Sequence, residues 1–530
     1  MSDNESTGVR DERPTGPPDP CIGIWGTFDV ANFGDLLFPR IFEQEMKRRL
    51  PQATVRSFSP LGSLRSVQLD GGAVAEPLGE WTTQRIVELE RELDFVAVGG
   101  GEIIHEHDAY YGGWYEIPTP EAERLRPSQF FIEGLGEEAE RRATVAWHSV
   151  GIPFDLEGEF AERVRAACQR RPYISVRDEG SRARLVRAGV ERDVSVVPDS
   201  ALVLKRLFAH DVLERRLGYL KAIRAFPTEG NPLALQGSRA LLPHVEAIGR
   251  ALAPMLEEED VPVLLLETGP CHGDGEFADA ISPYLPPDRT YRLPESVVVE
   301  DLVAAISHSR GFVGISLHGS ITALAFDVPF AILDLVGYAK LSAFAQLVGA
   351  EAVHVTSSDD IASSVARVLA RERSAADIRP LVARIDDHFD RLAELAEMSA
   401  KSRHGRNAVA AAPGVPLRDA RSDSELRYAS LRTAYEARGR ALVRERGRMM
   451  SLIERHERSD GLHHLADQLE RSHARLAAAQ EEIRRLHADL ARARTFGLAT
   501  RTRSFVRSRV LRDDTPLGRV WGRMRGSSLP

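Results

Sequence analysis

The sequence predicts an α/β protein in which two layers of parallel strands and covering helices face each other across a cleft, with a helical coiled coil after them. Three observations lead there. Short apolar runs alternate with longer helical patterns, which is how a parallel sheet covered on both faces reads. That alternation occurs as two successive sets. After residue 405 the chain changes character, and apolar residues recur at heptad spacing.

Residues 1–20 are polar, with Pro and Gly, and are expected to be disordered. The first domain spans residues 21–205. Its strands read CIGIWG from Cys21, ATVRSFS from Ala53, DFVAVGGG from Asp94, ATVAWHSVGIP from Ala143, PYISVRD from Pro172 and VSVVPD from Val194. Between them lie helical stretches such as residues 35–50, stopped by Pro51, and EFAERVRAACQRR. The second domain spans residues 206–400, with strands PLALQG, VPVLLLETG, GFVGISLHG and PFAILDL. In such sheets ligands sit at the carboxyl ends of the strands.

Residues 401–424 read as a Pro/Ala/Gly linker and 425–494 as the coiled coil. Leu462, Leu469, Leu476, Ile483 and Leu490 recur every seven residues, and Tyr428, Tyr435, Leu442 and Met449 form an earlier seam in another register. Self-association through this segment is expected, a long surface helix packed on its own domain being the plainer reading. Residues 495–530 form a basic amphipathic tail. The stretch from Arg492 to Arg525 holds ten Arg, interspersed with Phe505, Val510, Leu517 and Trp521. Such a tail suits an anionic membrane surface or, equally, a solvated disordered end.

The bulk numbers narrow the classes. A formal charge of -9 argues against a nucleic-acid binder. Cys21, Cys168 and Cys271 are far apart, which fits a reducing compartment rather than a disulfide framework or a zinc cluster. No signal-peptide pattern opens the chain and no apolar run is long enough to span a bilayer, so a cytoplasmic protein is expected.

Five loops carry candidate chemistry. In GTFDVANFGD a strand runs into Gly26, Asn32, Gly34 and Asp35 before a helix starting near Gly34 or Asp35. Asp35 can cap that helix, and the helix N-terminus can meet an anion or a sugar hydroxyl, with Asn32 adding donors and acceptors. A plain strand–turn–helix explains the same residues. In VGGGEIIHEHD, Gly99, Gly100 and Gly101 precede Glu102, His105, Glu106, His107 and Asp108. Five ionisable groups in seven residues rarely serve packing, and they suit sugar hydroxyls or proton exchange. HxH beside carboxylates is ligand-like, but no third His or Cys at metal spacing supports it, and no metal site is assigned.

In YISVRDEGS, Arg177 ends a strand where a carboxylate or phosphate could bind, unless it simply pairs with Asp178 or Glu179. Asp199 follows the next strand in VVPD. In GFVGISLHGS, His318 stands between a strand end and Gly319–Ser320 at a helix start, placed to meet an anion or to act as acid or base. ETGPCHGDGE puts His272 and Asp274 in the equivalent place after another strand.

Taken in order, GTFDVANFGD, the GGG strand, SVRDEGS with VVPD, and SLHG with ALAFDVPF resemble the polysaccharide pyruvyl transferase family over residues 21–350. The resemblance implies two Rossmann-like domains of the GT-B type. It also implies transfer of the enolpyruvyl unit of phosphoenolpyruvate onto a sugar, forming a pyruvate ketal. Many members carry an Arg two residues before the His of the late motif, where this chain has Ser316. Arg177 and Lys340, in GYAKL, are then left to hold the donor's phosphate or carboxylate, with the helix N-terminus at His318, Gly319 and Ser320. His318 would protonate the enolpyruvyl carbon or the phosphate, and Asp35 or Glu102 would deprotonate an acceptor hydroxyl. Asn32, Gly34, Gly100, Gly101, His105 and Ser316 complete the expected substrate site. No cofactor or metal is implied beyond the donor substrate. The acceptor could be a lipid-linked oligosaccharide, with the basic tail holding the enzyme at the inner membrane face. Two other functions stay open: a nucleotide-sugar glycosyltransferase on the same fold, and a non-catalytic sugar-binding scaffold assembled by its coiled coil.

Overall fold

The computed structural model describes residues 19–62, 75–109, 123, 125–140, 143–294, 298–372, 375 and 377–409. The coiled coil, the basic tail and the disordered N-terminus expected from the sequence lie outside the described residues, apart from residues 19–20.

Two parallel sheets build the molecule. The first holds β1 (Cys21–Trp25), β2 (Thr54–Ser59), β3 (Ala75–Pro77), β4 (Phe95–Gly99), β5 (Thr144–Val150), β6 (Ile174–Val176) and β7 (Ser195–Val196), in the order β3-β2-β1-β4-β5-β6-β7. The second holds β8 (Leu233–Gln236), β9 (Val263–Leu266), β10 (Thr290–Arg292), β11 (Gly311–Gly314), β12 (Phe330–Leu333) and β13 (His354–Val355), in the order β10-β9-β8-β11-β12-β13. Each sheet grows outward in one direction and then restarts on the other side of its first strand. The carboxyl ends of β1 and β4, and of β8 and β11, are therefore topological switch points, where such sheets leave a crevice.

The central strands are continuous apolar runs because both faces are covered. Phe95–Val98 and Val263–Leu266 are all buried. The short edge strands β3, β10 and β13 carry no such run and are absent from the sequence-based reading. One apolar cluster covers the face of the first sheet under helix α1 (Phe33–Arg49) and continues into the second sheet's core. A second cluster, around Trp25, Phe58, Phe130 and Trp147, covers the opposite face of the first sheet.

The helix Arg379–Val409 departs from expectation in two ways. Residues up to 400 were expected within the second domain, but this helix crosses back to the first sheet. The Ser399 hydroxyl donates to the Asp94 carbonyl at 2.6 Å. His388 and His148 rings stack with 2.7 Å between ring nitrogens, and Tyr173 reaches His388 at 2.9 Å. Burial holds His148 at about 4, so this contact joins neutral rings. Helix also runs on through residues 401–409, where a linker was expected.

Arg206 leaves the first domain and Asp386 lies on the returning helix. The two form a bidentate pair at 2.8 Å for each bond. Arg48, Arg49 and buried Glu45 of α1 join the same cluster.

Candidate active site

The two switch points open onto one shared cavity of about 620 Å³ between the sheets. Asn32, Asp35, Gly101, Glu102, Arg177, Ser316, His318 and Lys340, all expected from the sequence, line it.

The loop after β1 sets the first wall. Helix α1 begins at Phe33, one to two residues earlier than expected, with Asn32 at the N-cap. Neither Asn32 nor Asp35 caps it. The Phe33 N–H donates to the Thr268 carbonyl of the second domain at 2.7 Å, so part of this helix start is already occupied. Asp35 sits in the first turn and accepts from Asn32 Nδ2 at 2.9 Å and from the Thr27 hydroxyl at 3.4 Å. Burial pushes its carboxyl up to about 6, against the opposing pull of His318, Asn32 and Lys340.

Gly34 does not touch the cavity. A Cβ there would overlap the His318 ring, so glycine at this position is what lets the imidazole of one domain lie against the helix of the other. Phe38 meets the same ring edge to face, with centroids 5.2 Å apart. His318 Nε2 stands 3.5 Å from Asp199 Oδ2, an ion-pair distance rather than an aligned hydrogen bond. Burial would raise Asp199, but His318, the Ala201 N–H and Arg177 outweigh it and hold the carboxyl low.

The loop after β4 divides the cluster expected there. Gly100 adopts φ +88° and faces Phe38, outside the cavity. Glu102 enters the cavity, where Arg177 Nη2 lies 2.9 Å from Oε1 and Lys340 Nζ lies 3.1 Å from Oε2. Arg177 belongs to the first domain and Lys340 to the second. Burial alone would raise Glu102; the two cations hold it at about 2. Ile103 still lines the cavity, Ile104 is fully buried in the core, and His105 lies off the cavity. His105 is buried beside His107 and Phe154, and its Nδ1 accepts the His107 N–H. Asp108 accepts from Ser128. His105, expected in the substrate site, thus does not line this cavity.

On the second wall, Ser316 caps the helix Leu317–Ala325 with its own hydroxyl, which accepts the Gly319 N–H at 3.1 Å. The Ser320 N–H is bonded to the Ser316 carbonyl, and Ser320 is fully buried. Gly319 packs on the Phe312 ring. Gly319 and Ser320 thus build the helix start and do not line the cavity, contrary to the anion site expected of them. Among the described residues no group of three His, Cys, Asp or Glu is arranged to hold a metal ion.

Sequence reasoning passed over Gln236, Thr268, Arg239 and Tyr338, and only noted His272 and Asp274, yet all six line the cavity. Each lies at or beyond the carboxyl end of a second-sheet strand, and that position is the signal that could have found them. Asp274 Oδ2 collects the Gln236 side chain, the Thr268 and Gly269 N–H groups and the Thr268 hydroxyl. Burial lifts its carboxyl to about 7 in spite of those donors. Burial, with Lys340 and Arg239 nearby, holds His272 at about 4, so its imidazole is neutral. Burial likewise pushes the Cys271 thiol well above its usual range, with Asp35 and Asp274 adding to the effect, so it is no thiolate nucleophile.

A family model described as polysaccharide pyruvyl transferase matches residues 32–335. That span includes Asp35, Glu102, Arg177 and His318, and ends just before Tyr338 and Lys340. The search of curated proteins returned no match. Among solved structures, UDP-GlcNAc 2-epimerase from Neisseria meningitidis bound to UDP-GlcNAc is similar at 12% identity and TM-score 0.42, over 73% of this chain and 98% of that one. The Methanocaldococcus jannaschii UDP-GlcNAc 2-epimerase is similar at 13% identity and TM-score 0.45, over 69% and 99%. The glycosyltransferase SnogD from Streptomyces nogalater is similar at 14% identity and TM-score 0.36, over 74% and 100%.

Proposed function

The chain belongs to the polysaccharide pyruvyl transferase family, and from that premise we propose that it transfers the enolpyruvyl unit of phosphoenolpyruvate to a sugar, closing a pyruvate ketal across two hydroxyls. The acceptor is a polysaccharide or its lipid-linked precursor. The two sheets act as the halves of a GT-B-type enzyme, and the reaction takes place on the cytoplasmic side.

One observation supports this reading above the others. Arg177 and Lys340, from opposite domains, converge on a single carboxylate beside His318 and Asp35. Two cations spaced to clasp one carboxylate suit the carboxylate or phosphate of a small anionic donor. Asp35, held near 6, is the base, since its proton affinity suits exchange near neutral pH. Glu102, held at about 2, is too weak a base for that task and instead occupies the cations until the donor arrives.

In the first addition, Asp35 takes the proton of one hydroxyl as its oxygen bonds to C2 of the enolpyruvyl group, and His318 delivers a proton to C3, which becomes methyl. In the second, the C2–O bond to phosphate breaks and the other hydroxyl oxygen bonds to C2. Of the two hydroxyl protons, one is balanced at C3 and the other leaves with phosphate. Fixing both hydroxyls and the donor in one cavity supplies the proximity such a reaction needs.

Thermal-shift titration with phosphoenolpyruvate beside a panel of nucleotide sugars tests this. Phosphoenolpyruvate at about 100 times its Kd should stabilise the protein by roughly 2.7 kcal/mol. The shift should vanish in Arg177→Ala. A shift with a nucleotide sugar alone would replace this reading with glycosyl transfer.

A further inference from the structure

The cavity has two halves of different chemistry. The charged half holds Arg177, Glu102, Lys340 and His318. The other half is walled by the loops after β8 and β9, with Ser238, Thr268, Gly269 and His272. Asn32 adjoins it, since a Cβ on Gly269 would lie 3.6 Å from Asn32 Oδ1. This half presents hydroxyls, amides and a neutral imidazole, with Lys340 and Arg239 at its borders. Arg239 at its edge is paired with Glu276.

A single carboxylate organises these walls. Asp274 Oδ2 accepts from Gln236 Nε2 at 2.9 Å, Thr268 N at 2.9 Å, Thr268 Oγ1 at 3.2 Å and Gly269 N at 2.8 Å. Gln236 Oε1 in turn accepts the Ser316 N–H at 2.8 Å. The loops after three strands are thus tied to one side chain that is 1% exposed. The Thr268 carbonyl then receives the Phe33 N–H, so the same hub reaches the helix that carries Asp35. At the rim stands Tyr338, 43% exposed, on a loop fixed by its own N–H to Asp334 Oδ1 at 2.8 Å. His354 Nε2 secures Asp334 at 3.0 Å.

We propose that this half is the acceptor subsite: it receives an uncharged pyranose whose hydroxyls pair with Ser238, His272 and Asn32 while Tyr338 covers the ring's apolar face. Asp274 is the positioning residue. A neutral polyhydroxylated ring needs many donors and acceptors and no net charge, which the charged half does not provide. The neutral imidazole of His272 can donate through one nitrogen and accept through the other. Asn32, which bonds Asp35, sits where the two halves meet, so a hydroxyl held there lies next to the proposed base. The assignment rests on the pyruvyl-transfer reading, with the donor anion in the charged half.

Saturation-transfer NMR tests it on the full chain, using methyl hexopyranosides as sugar probes and phosphoenolpyruvate as the donor probe. The unsubstituted protein should bind both. His272→Ala and Ser238→Ala should weaken the sugar by about tenfold and leave phosphoenolpyruvate within about twofold. With the best sugar, His272→Ala should raise the acceptor KM far more than the donor KM. Asp274→Ala should lose sugar binding and Asp274→Asn should recover most of it. Sugar affinity unchanged in both His272→Ala and Ser238→Ala would overturn the subsite, as would a protein that binds phosphoenolpyruvate but none of the pyranosides. Pyranosides bound in a His272-dependent manner, with no phosphoenolpyruvate binding at all, would sink pyruvyl transfer and leave the sugar subsite standing.

Discussion

At the first switch point, helix α1 starts on Asn32, whose amide is committed to Asp35, and its leading N–H is satisfied by a carbonyl of the other domain. At the second, the helix Leu317–Ala325 starts on Ser316, which caps it from within. One start is self-sufficient; the other is completed only when the domains meet. The contrast teaches that the first wall is completed by a group of the other domain, whereas the helix start of the second wall is completed by its own residues. His318 joins the two, because it rises from the self-capped helix and rests on Gly34 of the dependent one.

The largest expected effect lies at that joint. His318→Ala should cut turnover by about 10²–10⁴ with the fold intact. Gly34→Ala should do nearly as much, because its methyl would displace the ring. The double variant should be no slower than His318→Ala alone, since both changes remove one function. Additive losses in single-turnover rates would separate Gly34 from His318 and break the comparison at its centre.

Asp35→Asn comes next. The rising acid limb of the rate profile should centre near pH 6, as Asp35 ionises, and that limb should disappear in the variant. Stability should move the other way. The carboxyl is raised from 3.8 to about 6, so its ionised form costs stability above about pH 6 and not below about 4. At pH 7 Asp35→Asn should therefore be the more stable protein, by ~1–3 kcal/mol in denaturant melts. A variant that is both slower and less stable would place Asp35 in the frame of the helix start.

Glu102→Gln releases the cations that meet across the cleft. Inorganic phosphate should bind about tenfold tighter at low salt, and the gain should shrink as salt rises. Weaker binding in calorimetry would mean that Glu102 aims Arg177 and Lys340 rather than occupying their place. The smallest pair of effects sharpens the contrast directly. Ser316→Ala should cost ~1 kcal/mol of stability through its lost cap and change turnover little. Asn32→Ala has no cap to lose and should cost less stability, yet slow turnover by about tenfold through Asp35. Equal behaviour of the two variants would erase the distinction between the helix starts.

The central strands were legible because burial on both faces writes an unbroken apolar run, as in DFVAVG and VPVLLL. The edge strands were not: Thr290–Arg292 and His354–Val355 are short and partly exposed, with nothing to set them apart from loop. In the site, residues flagged by glycine and charge at a strand end, such as Asp35, Glu102, Arg177 and His318, do converge. His105 lies off the cavity although Glu102, three residues earlier, lines it, because closeness in sequence does not fix a side. Gln236 and Thr268 were hidden for the opposite reason. A lone polar residue at a strand end looks ordinary until the carboxylate of Asp274 gathers it from 38 and 6 residues away.

The bidentate pair of Arg206 and Asp386 fastens the point where the chain leaves the first domain to the helix on which it returns. Both crossings of the chain between the two halves are thereby tied at one point. A swing of one half about that tie is the expected motion of the cleft. Spin labels on the first sheet and on the helix Val245–Glu258 should show one hinge-like distance change, and Asp386→Ala should broaden it. A narrow distribution in that variant would move the pivot elsewhere.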